Sequence, residues 1–475
     1  AIDGIPAIVV DPKGDLGNLL LTFPELRAED FQPWVNREEA RQRGLSIEEF
    51  AESQASLWSN GLAKWGQSGA RIGRLRESAD FVIYTPGSEA GLPISVLDSF
   101  KAPSSSDWED ADLIRDRIES TVTGLLSLLG IDADPIQSPE HILLSNLLEH
   151  LWKAGADVGL SDLIQGVQAP PFDRVGAFDL EAFYSTSKRT ALAIKLNNLL
   201  AAPSFQSWLE GAPLDLEKLL YTEEGRPRVA VFSIAHLSDQ QRMFFVTLLL
   251  NETLSWIRRR PGTNSLRALL YMDEIFGYLP PVAEPPSKKP LLTLLKQARA
   301  YGLGVVLATQ NPGDLDYKAL ANIGTWFLGR LQAERDKEKV LEGLKGVTVD
   351  GGPSRKELDR LLTGLKKRTF LLHNVNEEGP ELFQTRWVMS YLRGPLTRDQ
   401  IRTLMADRKV VETSQETLEV EEIRQTAESG AGEGTGSNQE PLAAAATSSV
   451  ELPDIDPNIP QYFHDRSSAG QQPVR

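Results

Sequence analysis

The sequence predicts an α/β protein with a mostly parallel central sheet. Short apolar runs recur along the chain, and several of them end in polar residues of the kind that form ligand sites. Between residues 229 and 331 these runs alternate with helical patterns, an order that favours parallel strands joined by right-handed crossovers. Continuous apolar runs are also typical of strands that are buried on both faces of such a sheet.

Length and composition restrict the class of protein. A chain of 475 residues can form two or three domains, or one large α/β domain with insertions. Its apolar content of 41% can build a sizeable core. The sequence has no Cys, which excludes disulfides and thiolate metal sites and fits a reducing, cytoplasmic compartment. No apolar run approaches the roughly 20 residues that span a bilayer, so we expect no membrane segment.

Negative charge is concentrated at the end of the chain. Residues 406–475 contain thirteen acidic and five basic side chains, which is −8 of the formal charge of −16. Acidity disfavours simple wrapping by DNA but is compatible with a local basic pore. Residues 426–449 have the composition of a disordered linker. We therefore expect an acidic disordered tail that leads, near Leu452, into the start of a truncated C-terminal module.

The first predicted strand ends in a charged turn. Residues 6–11 are mostly apolar, and the chain continues as Asp-Pro-Lys-Gly-Asp, where the proline and the glycine indicate a turn. Asp11, Lys13 and Asp15 could form one edge of a site. A charged surface turn is the alternative interpretation.

The other elements follow from periodicity and from helix-start residues. Residues 24–80 are polar and helical, and 81–85 form a clear strand pattern. Further strands are predicted at 229–234, 267–273, 305–310 and 326–331, with a closing hairpin at 369–373 and 382–389. These patterns divide the chain into the first part of the core with a helical insertion (1–100), a helical subdomain (101–228), the second part of the core (229–405) and the tail (406–475).

Two adjacent carboxylates stand at the end of the strand predicted at 267–273. Side chains alternate along a strand, so Asp273 and Glu274 should point in different directions. Open α/β sheets bind ligands at the carboxyl ends of their strands. An Asp at this place can hold Mg²⁺, and the following Glu can orient an attacking water, which are two roles that nucleoside triphosphate hydrolysis requires. A solvated strand end and a helix cap are the alternatives.

Three further side chains are candidates for the same site. Gln310 ends the next strand, and its amide could sense a γ-phosphate or the attacking water. Arg299 precedes a Gly-rich turn and could stabilise transition-state charge at the nucleotide of a neighbouring subunit. Arg330 is a second candidate for that role. A polar strand cap and a cation at a helix C-terminus are the alternatives for Gln310 and Arg299.

One expected motif is absent from the sequence. A phosphate cradle needs consecutive backbone N–H groups at a helix start together with a Lys. No Gly-x-x-x-x-Gly-Lys-Ser/Thr occurs in the 475 residues. Since the chain begins without Met, we expect that it is the middle of a longer protein, that this loop precedes residue 1, and that the chain alone hydrolyses ATP poorly.

Three stretches together resemble the HerA–FtsK superfamily of P-loop ATPases. They are Ile5–Leu16, Leu269–Pro281 with Met-Asp-Glu at its centre, and Gln297–Pro312, which reads Ala-Arg-x-Tyr-Gly-x-Gly and then Thr-Gln-Asn-Pro. More narrowly, they are similar to large bacterial ATP-binding proteins with a HerA helicase-like central domain. The resemblance covers about residues 1–400, with the helical region 107–225 as an insertion.

The resemblance implies a RecA/HerA-like P-loop NTPase core that uses ATP and Mg²⁺. It assigns Asp273 and Glu274 to the second nucleotide motif, with Mg²⁺ on Asp273. It makes Gln310 the sensor and Arg299 the preferred arginine acting in trans. The remaining candidates for nucleotide binding are Asp11, Lys13, Asp15 and Arg330.

The same resemblance implies a homo-hexameric motor that acts on DNA, with neither membrane segments nor disulfides. A nucleotide-switched scaffold or a protein-translocating ATPase is the alternative. A third interpretation is an α/β protein without nucleotide, in which Asp-Glu is structural. The translocated polymer, the direction of movement and the ring size stay open.

Overall fold

The computed structural model describes residues 2–96, 100, 102–103, 107–344, 354–377 and 379–409. All of them fall within one compact unit, residues 1–414. A helix covers 398–409, so the first residues of the predicted tail are helical. The rest of that tail, residues 410–475, lies outside the described residues.

Strands of the described chain form one main sheet and three small ones. In chain order they are β1 (Ala7–Asp11), β2 (Asp80–Tyr84), β3 (Ile94–Ser95), β4 (Arg174–Val175), β5 (Phe178–Asp179), β6 (Ala212–Pro213), β7 (Arg228–Ser233), β8 (Ala268–Met272), β9 (Leu303–Leu307), β10 (Thr325–Leu328), β11 (Thr369–Asn374) and β12 (Glu381–Gln384). The main sheet has the order β2-β7-β1-β8-β9, and every pairing in it is parallel. The predicted α/β fold with a parallel central sheet is confirmed.

Helices pack around this sheet and build the insertion. In chain order they are α1 (Ala28–Phe31), α2 (Arg37–Gln42), α3 (Ile47–Ala63), α4 (Gly69–Ser78), α5 (Ala111–Leu128), α6 (Pro139–Lys153), α7 (Leu160–Gln168), α8 (Leu180–Phe183), α9 (Thr186–Ala201), α10 (Pro203–Gln206), α11 (Leu216–Leu220), α12 (Asp239–Arg258), α13 (Lys288–Gln297), α14 (Tyr317–Leu320), α15 (Glu334–Gly343) and α16 (Arg355–Gly364). None of the helices in the described part is long and apolar enough to cross a bilayer.

Helix α12 joins the insertion to the sheet. It starts at the predicted capping box, in which Ser238 Oγ accepts from the Gln241 N–H and the Gln241 side chain accepts from the Ser238 N–H. Arg117 of α5 contacts it through a 2.8 Å ion pair with Glu252 and a 2.8 Å hydrogen bond to Ser255. These contacts fix the helical subdomain against the core.

The strand predicted at 326–331 is not part of the parallel sheet. It appears as β10, which pairs antiparallel with β11 in a separate sheet of order β10-β11-β12. Trp326 and Leu328 of β10 are buried, whereas Thr325 and Phe327 are exposed. Such alternation is typical of an antiparallel sheet with one solvated face. The predicted closing hairpin is present as β11 and β12.

One face of the main sheet is incompletely covered at β8 and β9. Leu269 and Tyr271 of β8 are only half-buried, and Val306 of β9 is 40% exposed. The prediction that both strands are buried on both faces is therefore wrong for this face. Within the described residues β9 is also an edge strand, since β8 is the single strand that pairs with it there. A parallel sheet is normally covered by other elements on both faces.

Candidate active site

Six of the eight predicted site residues lie at the carboxyl-terminal ends of three adjacent strands. β1, β8 and β9 are neighbours, and the backbone continues to pair beyond them: Asp273 N–H donates to Val10 O at 3.3 Å, and Ile275 N–H donates to Ala308 O at 3.1 Å. We call this edge, formed by residues 11–15, 273–274 and 310, the rim. Parallel topology alone brings these three segments to one edge of the sheet.

Glu274 has an unusual backbone conformation. Its φ of 47° and ψ of 56° lie in the left-handed region, where it precedes the 3₁₀ turn Ile275–Gly277. A residue with a Cβ rarely adopts this conformation, which costs on the order of 1–3 kcal/mol. Strain of this kind persists where the surroundings hold a side chain in a required direction, and it concentrates at functional sites.

The carboxylate of Glu274 is held by two donors. Gln310 Nε2 donates to Glu274 Oε1 at 2.7 Å, and the ammonium of Lys13 contacts the same oxygen. The Glu274 side chain is only 11% exposed. No other described residue donates a hydrogen bond to this carboxylate, so its second oxygen can accept from water.

Lys13 balances the negative charge of the rim. Its hydrogen bond to Glu274 raises the pKa of Lys13 above the ordinary value, and the negative charges of Glu274, Asp273 and Asp15 act in the same direction. The ammonium therefore stays charged. Its side chain is 41% exposed, which leaves it free to exchange its partner.

Asp11 shapes the loop that carries Lys13. The side chain is fully buried, and Oδ1 accepts from the N–H groups of Gly14 at 2.7 Å and Lys13 at 3.2 Å, while Oδ2 accepts from Leu16 N–H at 3.0 Å. Burial raises the pKa of Asp11 to about 6, and the backbone hydrogen bonds act against this rise. Asp11 thus lies beneath the loop and fixes its conformation, while its predicted nucleotide contact stays a prediction.

Asp273 and Asp15 supply the acidic part of the rim. Burial raises the pKa of Asp273, Lys13 lowers it, and the charges of Glu274 and Asp15 raise it again. Oδ1 of Asp15 is buried and has no hydrogen-bond partner among the described residues. This orphaned oxygen beside a second carboxylate is suited to a cation.

The same residues fit the predicted Mg²⁺ as partial ligands. The described chain contains no group of three His, Cys, Asp or Glu side chains that could hold a metal. Mg²⁺ usually binds through one or two carboxylates and completes its shell with phosphate oxygens and water. Asp273, with Asp15 beside it, offers a donor set of this kind.

The two predicted arginines lie elsewhere. Arg299 belongs to the 3₁₀ turn Ala298–Tyr301, which precedes β9, so it is at the amino-terminal edge of the sheet. Arg330 follows β10 of the small antiparallel sheet. Neither arginine has a contact with the rim among the described residues. The structure therefore does not bring them together with Glu274 of the same chain.

Two features near the rim were not predicted from the sequence: the side chain of Tyr271 and the ion pair between Lys288 and Asp316. Tyr271 lies two residues before Asp273, and burial, followed by the charge of Asp273, raises its pKa to about 12. Lys288 is almost fully buried and forms a 2.8 Å ion pair with Asp316, whose N–H donates to Leu279 O at 2.8 Å. This pair ties the segment after Glu274 to the segment after Gln310. Two-residue periodicity could have identified Tyr271, but nothing in the sequence joins Lys288 to Asp316.

Comparisons with known proteins give matches at the level of structure only. No protein-family model matches the sequence, and no curated protein matches it either. The solved structures that match include VirB4 of Thermoanaerobacter pseudethanolicus, at 14% identity and a TM-score of 0.45 over 81% of this chain and 82% of that one. The bacterial conjugative coupling protein TrwB matches at 14% identity and a TM-score of 0.40, over 71% and 85%.

A third match is the genome packaging NTPase B204 of Sulfolobus turreted icosahedral virus 2. It has 16% identity and a TM-score of 0.25 over 36% of this chain and 71% of that one, in a complex with ATPγS. This third match is described as a genome packaging NTPase. These identities and TM-scores are too low to assign a role to this chain, so the chemistry of the rim is argued from its own residues.

Proposed function

We propose that this chain carries the catalytic rim of an ATP-hydrolysing motor. The observation that carries the proposal is Glu274, which is held in a left-handed conformation at the carboxyl edge of a parallel sheet and anchored by Lys13 and Gln310. Leu26 and Arg368 are also left-handed, so what distinguishes Glu274 is the combination of this conformation with two donors on one carboxylate oxygen at a strand end. A carboxylate fixed in this way can orient one water molecule.

In the proposed reaction each group has a defined task. Glu274 accepts a hydrogen bond and then a proton from the attacking water. The water oxygen bonds to the γ-phosphorus while the bond to the β,γ-bridging oxygen breaks, ADP leaves, and Glu274 returns the proton to the released phosphate. Gln310 donates a hydrogen bond to Glu274 and would also contact the γ-phosphate, so that the position of Glu274 depends on the presence of that phosphate. Lys13 is exposed enough to move from Glu274 to a phosphate oxygen, which would free Glu274 when nucleotide is bound. Asp273 and Asp15 would hold Mg²⁺, which supplies charge neutralisation at the phosphates.

A segment that binds the phosphates has to join this rim. The sequence contains no Gly-rich Lys-Ser/Thr loop. The free edge of β9 and the half-covered face of Leu269, Tyr271 and Val306 offer a place for a further strand and helix. We infer that such a unit carries the phosphate-binding loop and that the described residues alone turn over ATP poorly.

We further propose that the protein forms a homo-hexameric ring that moves DNA. Arg299 is exposed at the sheet edge opposite to its own Glu274, so it could serve only the site of another subunit. A ring in which each subunit completes the site of the next would use it in this way. DNA as the moved polymer comes from the resemblance, and a nucleotide-switched scaffold is the competing function.

The test is a Glu274→Gln variant of the full-length protein. We expect it to bind ATP with an affinity like that of the wild type and to lose at least about a hundredfold in turnover, because the amide orients water poorly and accepts no proton. The exposed Glu338→Gln variant removes the same charge elsewhere and should retain full turnover. Wild-type turnover in Glu274→Gln would reject the assignment.

DNA-stimulated hydrolysis separates the motor from the scaffold. A motor on DNA should hydrolyse ATP several-fold faster when DNA is added, whereas a nucleotide-switched scaffold should not respond. The measurement is steady-state ATP turnover of the full-length protein with and without DNA. The turnover of Glu274→Gln is subtracted as the background rate.

A further inference from the structure

A large groove lies at the amino-terminal edge of the main sheet, on the opposite side from the rim. It has a volume of about 1210 Å³ and is bordered by the loop 20–25, helix α4, the starts of β2 and β7, and helix 398–409. Pockets for small ligands usually have volumes of about 300–1,000 Å³. The groove therefore has room for more than one small molecule.

Its lining is basic in an otherwise acidic protein. The charged side chains that line it are four arginines against two glutamates, namely Arg74, Arg76, Arg226, Arg408, Glu25 and Glu77. The whole chain has a formal charge of −16. A local reversal of sign of this kind is the electrostatic footprint of a site for an anionic partner. We call this surface the arginine groove.

Two of the arginines are held in place by the fold. Arg226 Nη2 donates to the backbone oxygens of Arg76 at 3.0 Å and Ala79 at 2.9 Å. Arg408 pairs with the buried Asp80, whose other oxygen pairs with Arg228 at 2.9 Å. One carboxylate is thus shared by two guanidinium groups, which leaves a surplus positive charge at the edge of the groove.

The other two arginines are available to a ligand. Arg74 and Arg76 belong to α4, and both are exposed. Neither forms an ion pair within the described part of the chain. Guanidinium groups that present free donors on a fixed helix are well suited to phosphate oxygens.

Aromatic side chains accompany the arginines. Phe23, Trp34 and Phe81 line the same groove and are half-buried. Proteins that bind single strands combine a positive groove with aromatic rings on which bases stack. An acidic peptide would use the arginines but would gain little from these rings.

We propose that the arginine groove binds single-stranded nucleic acid. The phosphates contact the arginines, and the bases stack on Trp34 and its aromatic neighbours. The inference rests on the proposed function at one point: single-stranded nucleic acid would be the polymer that the proposed motor moves. Because binding is measured without ATP and without hydrolysis, its failure is distinguishable from a failure of the catalytic rim.

The experiment measures how the full chain binds a fluorescent oligothymidylate over a series of salt concentrations. Each phosphate contact contributes about 0.7 to the slope of log affinity against log salt for single strands. The double variant Arg74→Ala/Arg76→Ala should therefore lower that slope by up to about 1.4. The matched control Lys356→Ala/Arg360→Ala removes two exposed charges from α16 and should leave the slope unchanged.

A stacking variant and two competitors complete the test. Trp34→Leu should weaken binding by about fivefold or more at constant salt, because a base loses the aromatic ring on which it stacks. Its folding is checked by thermal unfolding, and Phe81→Leu serves as the second stacking variant. An unchanged slope in the arginine variant would overturn the proposal. So would equal competition by polyglutamate, which indicates an acidic protein partner, or by thymidine monophosphate, which indicates a mononucleotide site.

Discussion

Replacing Asp11 by Asn should make the protein more stable at neutral pH and slightly less stable near pH 4. The Asp11 carboxylate is fully buried beneath the loop of residues 12–16, and burial raises its pKa to about 6 from the ordinary value of 3.8. An acid with a raised pKa binds its proton more tightly in the folded than in the unfolded state. Its contribution to stability is therefore complete below pH 3.8 and is lost as the pH rises through 6.

The size of the effect follows from the two pKa values. A difference of about 2.2 pKa units corresponds to about 3 kcal/mol. Asn has nearly the shape of the protonated carboxyl group and carries no charge, but its Nδ2 cannot accept from Leu16 N–H as Oδ2 does. Where Asp11 is protonated, Asp11→Asn should therefore be less stable than the wild type by about 1 kcal/mol. At pH 7.5 the wild type bears the full cost of a buried charge, about 3 kcal/mol, so after the lost hydrogen bond Asp11→Asn should exceed its free energy of unfolding by up to about 2 kcal/mol.

Urea unfolding at pH 4 and at pH 7.5 measures this difference. The exposed Asp3→Asn variant is the control, and its free energy of unfolding should change by less than about 0.5 kcal/mol at both pH values. If Asp11→Asn is instead less stable than the wild type at pH 7.5, the loop amides stabilise the charge by more than burial destabilises it. The description of Asp11 as a buried charge with a raised pKa would then be wrong.

Two buried ion pairs yield further predictions for the free energy of unfolding. Arg117→Ala leaves Glu252 buried without its partner and should cost about 3–5 kcal/mol, whereas the apolar pair Arg117→Met/Glu252→Leu should recover most of the loss. Lys288→Met should cost about as much, because it leaves Asp316 unpaired, while Lys289→Met next to it breaks only exposed ion pairs and should cost less than about 1 kcal/mol. Urea unfolding measures both, and equal effects of the two lysine variants would contradict the importance of burial.

Topology made the rim predictable from sequence. Apolar runs that alternate with helical patterns indicate parallel strands, and parallel strands place the residues that follow them at one edge. For this reason the sequence predicts that the residues after β1, β8 and β9 meet if their strands are neighbours, and the structure shows that the three strands are neighbours. The capping box at Ser238 is a local pattern in the same sense, because its two hydrogen bonds involve residues only three positions apart.

Other features depend on contacts that no local pattern contains. The strand at Trp326 has a clear apolar pattern, but its pairing with β11 depends on residues almost fifty positions later. The 3₁₀ turn of Arg299 precedes its strand, so topology places it at the edge opposite to Glu274. The hydrogen bonds from the loop N–H groups to Asp11 could have been predicted from the sequence, because Asp side chains often accept from the N–H groups that follow them.

The most direct test of the proposed catalytic rim is a crystal structure of the full-length protein with Mg²⁺ and a non-hydrolysable ATP analogue. We expect the γ-phosphate to lie at the rim, with a water between it and Glu274 and with Gln310 in contact with one of the two. We also expect Lys13 to leave Glu274 for a phosphate oxygen. A nucleotide bound away from the rim, with the contact between Lys13 and Glu274 intact, would contradict the proposed mechanism.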